Sequence, residues 1–100
     1  MSKLENKIEI QKILNKYRVQ IDNLDDNIIQ LISKRFEIIK QVAKIKKQYN
    51  IPAHLQDRVE QVINRNIENA INSGINNELI KSFYIDLIDQ SIKLEEELLK

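Results

Sequence analysis

One hundred residues, 42% hydrophobic and 31% charged at a net charge of +1, are enough for one small domain, residues 1–100, and exclude a disordered chain. The absence of cysteine excludes a disulfide framework and thiolate metal sites, and a lone His54 excludes a His-rich metal centre. One Gly and one Pro are too few for the turns of a sheet, whereas abundant Ile, Leu, Glu, Lys and Gln favour a few long helices.

The first element is carried by apolar residues recurring at threes and fours: Ile10, Ile13, Leu14, Tyr17, Ile21, Leu24, Ile28 and onward through Val42, Ile45 and Tyr49. That spacing is one stripe along a helix, and no Gly or Pro interrupts it. The helix is expected to end near Asn50, because Pro52 biases Ile51 away from helical angles. A second helix is expected from about Leu55 to Ser73, on the stripe Val59, Val62, Ile63, Ile67, Ala70 and Ile71. Gly74 follows as a left-handed stop. Asn76 can cap a third helix, whose apolar positions include Leu79, Ile80, Phe83, Tyr84, Leu87, Ile88 and Ile92.

The fold class expected is therefore all-α, with three helices per chain and a very long N-terminal one. A first helix of roughly 40 residues spans about 60 Å. A compact domain of this size has a radius of gyration of about 13 Å. Two shorter helices would cover the long one only as a thin layer and leave apolar stripe in water. A second copy of the chain covers it, so an intertwined homodimer is expected. The alternative is a first helix that kinks and folds back in a monomer, although no Gly or Pro marks a kink.

Charge is unevenly spread: residues 1–50 hold 11 Lys/Arg against 6 Asp/Glu, and residues 51–100 hold 5 against 9. A basic half can serve nucleic acid, an anionic small molecule or the acidic half itself. Lys34, Lys40, Lys44 and Lys47 read more simply as a solvated helix face, since net charge is near zero and no recognition motif is present. No nucleic-acid partner is expected. No apolar run reaches membrane-spanning length and the N-terminus lacks the apolar stretch of a signal peptide. The expectation is a cytoplasmic protein with no membrane partner.

Three cations lie in or beside the first stripe: Arg18, Arg35 and Lys46. Arg35 and Lys46 are eleven residues apart, about three turns, on nearly the same face and roughly 16 Å apart along the axis. Between them there is room for one small ligand. Arg18 lies about 100° round from Arg35 and points elsewhere, toward a partner's site in a dimer. A buried cation needs an anion, supplied either by a ligand carboxylate or by Asp86, Asp89 or Glu95 on the third helix. A single cation on a stripe usually snorkels or pairs with an acid. Three together, with Arg58 just after the loop, suit a dianion.

These residues, in the stretches YRVQIDNLDDNIIQLISKRFEIIKQVAKIKK, DRVEQVI and LIDQSIKLEEELL, resemble the all-helical class of chorismate mutase from about Tyr17 to Leu99. An Arg, then Ile-Asp-x-Leu-Asp, then Leu-x-x-x-Arg, then Val-x-x-x-Lys is the most specific part. The resemblance implies the rearrangement of chorismate to prephenate in aromatic amino-acid biosynthesis, without metal or other cofactor, in a dimer whose two sites each borrow one arginine. It assigns Arg18 of the partner chain and Arg35 to the substrate carboxylates. Lys46 goes to a carboxylate and the ether oxygen, Arg58 to the start of the second helix, and Ser91 to a carboxylate. Lys46, Arg35 and Glu95 would be the catalytic groups, acting by orientation and by stabilising charge on the ether oxygen.

Three positions depart from that family's usual residues. Glu95 stands where a glutamine commonly donates to the ether oxygen. A glutamate donates only when protonated, so activity is expected to improve toward acidic pH. Leu55 and Val59 stand where an aspartate and a glutamate usually surround the hydroxyl on ring carbon 4, and apolar side chains lose that grip. Two alternatives follow: an isochorismate–pyruvate lyase, whose substrate carries its hydroxyl elsewhere, or a mutase for an amino analogue of chorismate. A non-catalytic helical dimerisation module is the remaining rival. It explains the stripe but not the company of Arg18, Arg35, Lys46 and Ser91. His54 is expected as a loop residue.

Overall fold

The computed structural model describes residues 3–100. Three α-helices make up the described chain, α1 (Lys3–Gln48), α2 (Gln56–Asn72) and α3 (Asn77–Leu99), with no strand among the described residues. The fold is all-α, as the stripes predict. By packing, the chain divides at Arg35 into two units, residues 3–35 and residues 36–100.

The first unit is helical throughout, and its apolar stripe lies open. Ile10 is 53% exposed, Leu24 61% and Leu31 63%. The helix starts at Lys3, seven residues before the stripe does. Lys, Glu and Gln with no breaker suffice to extend it, and Glu5 in the first turn complements the positive end of the helix dipole.

The second unit holds the end of α1 with α2 and α3. Its buried apolar residues are Ala43, Ala53, Ala70, Leu87 and Ile88. Three of these five are alanines; of them Ala70 lies on α2, which packs on α3. No large side chain among the described residues is fully buried, so this core is shallow.

The helix ends follow local chemistry. α2 stops at a Schellman motif: the Ile75 amide donates to the Ala70 carbonyl at 2.9 Å and the Gly74 amide to Ile71 at 3.3 Å, with Gly74 at φ 70°. Asn76 caps α3 by accepting from the Leu79 amide at 3.1 Å. The end of α1 differs from the expected cause. Asn50 adopts φ 55°, and the Ile51 amide donates to the Lys46 carbonyl at 2.8 Å. The stop is thus a left-handed residue two positions before Pro52. Asn is the non-glycine side chain that tolerates this conformation best. α2 begins at Gln56, one residue later than expected, with Leu55 extended at its N-cap and making no side-chain cap bond.

Candidate active site

Lys46 sits in the last turn of α1 and Glu95 near the end of α3. The Lys46 ammonium is 2.9 Å from Glu95 Oε1, and the two side chains are only 13% and 5% exposed. The ammonium also donates to the Ala53 carbonyl oxygen in the following loop, at 2.9 Å. Glu95 Oε1 makes no hydrogen bond of good geometry among the described residues. The contact with Lys46 is therefore an ion pair by distance and charge, without the alignment of a strong charge-assisted hydrogen bond. Removing two charges from water costs several kcal/mol per ion in order of magnitude, so such a pair persists only because each ion answers the other.

Ser91 lies one turn before Glu95 on the same face of α3 and is buried with it. Its hydroxyl donates to the Leu87 carbonyl at 2.8 Å, the back-bond typical of a helical serine. Rotation of the hydroxyl would turn its hydrogen toward an arriving anion. Leu87 and Ile88 beneath it are buried and fix this part of α3.

Arg58 is the third residue of α2, exposed, and donates through Nη1 to Gln61 Oε1 at 2.7 Å. Leu55 precedes the helix and is 39% exposed; its carbonyl accepts from the Val59 amide at 3.1 Å. Val59 is half-buried and lines a cavity of about 330 Å³ with His54, Ile63, Ile88 and Ile92 among others. His54 lies in the loop before α2, its Nε2 2.8 Å from Gln56 Oε1.

Within residues 3–35, Arg18 is exposed, with Nη1 3.3 Å from Asn15 Oδ1 and 3.4 Å from Gln11 Oε1. Arg35 is half-buried. Of the acids on α3 offered as partners for a cation, Glu95 takes Lys46, whereas Asp89 pairs with Lys93 of its own helix at 3.1 Å in the open. The Ala53 carbonyl escapes sequence reading altogether, because every residue carries that group and only the path of the loop aims it.

Lys46 and Ser91 are donors, and Glu95 accepts when ionised and donates when protonated. Among the described residues no group of three or more His, Cys, Asp or Glu side chains could hold a metal ion, and no helix is long and apolar enough to cross a membrane.

Comparison with known proteins bears on the same residues. The T-protein of Haemophilus influenzae is 32% identical over 74% of this chain, which spans only 20% of that protein's length. The chorismate mutase of Methanocaldococcus jannaschii is 36% identical over 52% of each chain. The 4-amino-4-deoxychorismate mutase of Streptomyces venezuelae is 22% identical over 86% of this chain and 84% of its own. The chorismate mutase type II family matches residues 17–96, a stretch that takes in Arg18, Arg35, Lys46, Arg58, Ser91 and Glu95, and the chain belongs to that family.

Proposed function

We propose that the chain is a homodimeric chorismate mutase, converting chorismate to prephenate with no cofactor. The observation that carries this reading is the buried contact of Lys46 with Glu95, one turn from Ser91, inside the stretch that matches the family. The reaction is internal to one molecule: the ether C–O bond breaks as a C–C bond forms, with no proton or electron supplied from outside. The protein's task is to hold the dianion folded and to answer the charge that grows on the ether oxygen. Lys46 is suited to the second task, and a protonated Glu95 would add a donor. Arg35, Arg58 and Ser91 hold the carboxylates, joined by Arg18 of the second chain. The open stripe of residues 3–35 supports the second chain, since monomers rarely expose so large an apolar band. The cytoplasmic location expected from the sequence is part of the same proposal.

A mutase for an amino analogue of chorismate is the second reading. It is favoured by the relative from Streptomyces venezuelae, which this chain matches over most of both lengths. Leu55 and Val59 add to it, because two apolar side chains do not select a hydroxyl. Purified protein is to be assayed with chorismate, its 4-amino-4-deoxy analogue and isochorismate, each product identified by mass and absorbance. Prephenate from chorismate supports the first reading, turnover of the amino analogue alone the second. Pyruvate release from isochorismate alone would make the chain a lyase.

A further inference from the structure

Lys46 is fastened at two points to the loop that follows it. Its carbonyl accepts from the Ile51 amide at 2.8 Å, and its ammonium donates to the Ala53 carbonyl at 2.9 Å. Between those contacts stands Asn50 at φ 55°, the one non-glycine residue with positive φ among the described residues. Pro52 has a fixed φ and disfavours helical angles at Ile51, and Ala53 is 8% exposed against the core. Residues 50–53 therefore form a short fixed path that starts at the backbone of Lys46 and returns an oxygen to its side-chain nitrogen.

A lysine ammonium rides on a flexible four-carbon stem and is a poor positioning device by itself. Here one of its three hydrogens is held by Ala53, and Glu95 draws it from another side. We infer that Asn50 is a positioning residue: its left-handed backbone turns the loop so that the Ala53 carbonyl sets where the Lys46 ammonium meets the substrate. The inference rests on Lys46 being the group that meets substrate. A β-branched residue at position 50 resists the left-handed region, and a right-handed residue there would carry both loop contacts away. Glycine accepts the conformation freely and lacks the side chain, so it separates backbone shape from side-chain chemistry.

The test compares Asn50→Val and Asn50→Gly with the parent chain, using whichever of chorismate or its amino analogue the parent turns over. Asn50→Val is expected to lower kcat on the order of tenfold to a hundredfold, as a small misplacement of a catalytic group does, with KM moving far less. Asn50→Gly is expected to keep the parent kcat. Equal losses in both variants, or no loss in Asn50→Val, would overturn the inference. A second measurement needs no turnover: amide hydrogen exchange over residues 51–55 in the doubly neutral Lys46→Met/Glu95→Met chain. Faster exchange there than in the parent is expected once the ammonium no longer holds the loop, and unchanged exchange overturns the link. A parent chain inactive on both substrates sinks the functional reading, while exchange still judges the loop and decides alone if Asn50→Val does not fold.

Discussion

Replacing Lys46 by Met keeps the length of the stem and removes the charge. Glu95 is then left as a carboxylate with a side chain 5% exposed, beyond the reach of solvent screening. Breaking a buried pair from one side costs about 3–5 kcal/mol, because the remaining ion is buried unanswered. Loss of the hydrogen bond to the Ala53 carbonyl adds about 1 kcal/mol. The expected destabilisation is therefore about 4–6 kcal/mol, or about 2–3 M urea in the unfolding midpoint at an m of about 2 kcal/mol per M. Removing both charges in Lys46→Met/Glu95→Met takes away the unanswered ion and is expected to cost no more than about 2 kcal/mol. Urea unfolding of the four chains of this double-mutant cycle, at one protein concentration, measures the coupling directly. A Lys46→Met chain within about 1 kcal/mol of the parent at neutral pH would refute the reasoning. Glu95 would then have found water or another partner, and the pair would be incidental to the fold.

If Glu95 donates to the ether oxygen, catalysis requires its protonated form, so kcat rises as pH falls. Glu95→Gln donates at every pH and is expected to keep kcat in steady-state assays at pH 5 and pH 7.5, whereas Glu95→Leu lacks a donor and is expected to lose it; an unimpaired Glu95→Leu removes Glu95 from that role. Chains carrying Arg18→Ala or Arg35→Ala are each expected to be inactive alone. Unfolded together and refolded, they recover up to about a quarter of the parent activity, because random pairing leaves one intact site in each mixed dimer. No recovery means that Arg18 serves its own chain. Gly74→Ala meets no atom within 4 Å, so its expected cost of about 1–2 kcal/mol in thermal unfolding comes from the backbone alone.

Much of this architecture can be read from residue spacing. The stripe from Ile10 to Tyr49 marks α1, Gly74 marks the end of α2, and Asn76 caps α3 through the predicted side chain. These signals are local and each has one dominant physical cause. The start of α1 is less legible, because Lys3 to Glu9 carry a favourable composition without a cap or a regular stripe. The stop at Asn50 is obscured by Pro52, the stronger letter, although the left-handed asparagine performs the turn. At the site, the residues follow from resemblance, but the charge that answers Lys46 does not. Asp86, Asp89 and Glu95 are equivalent as letters, and only packing places Glu95 in the interior with the lysine while Asp89 stays with Lys93 in water.

A chain whose buried apolar side chains are mostly alanines, and whose large ones stay in water along residues 3–35, has little to hold it folded in isolation. In the proposed dimer, folding and association would become one event. Its refolding would then be second order, and protein concentration would enter the stability itself. Each tenfold dilution removes about 1.4 kcal/mol from a dimer, the same order as losing a helix cap or a left-handed glycine. For such a molecule the amount the cell makes is a structural variable, and a fall in expression acts on it as a mild denaturant.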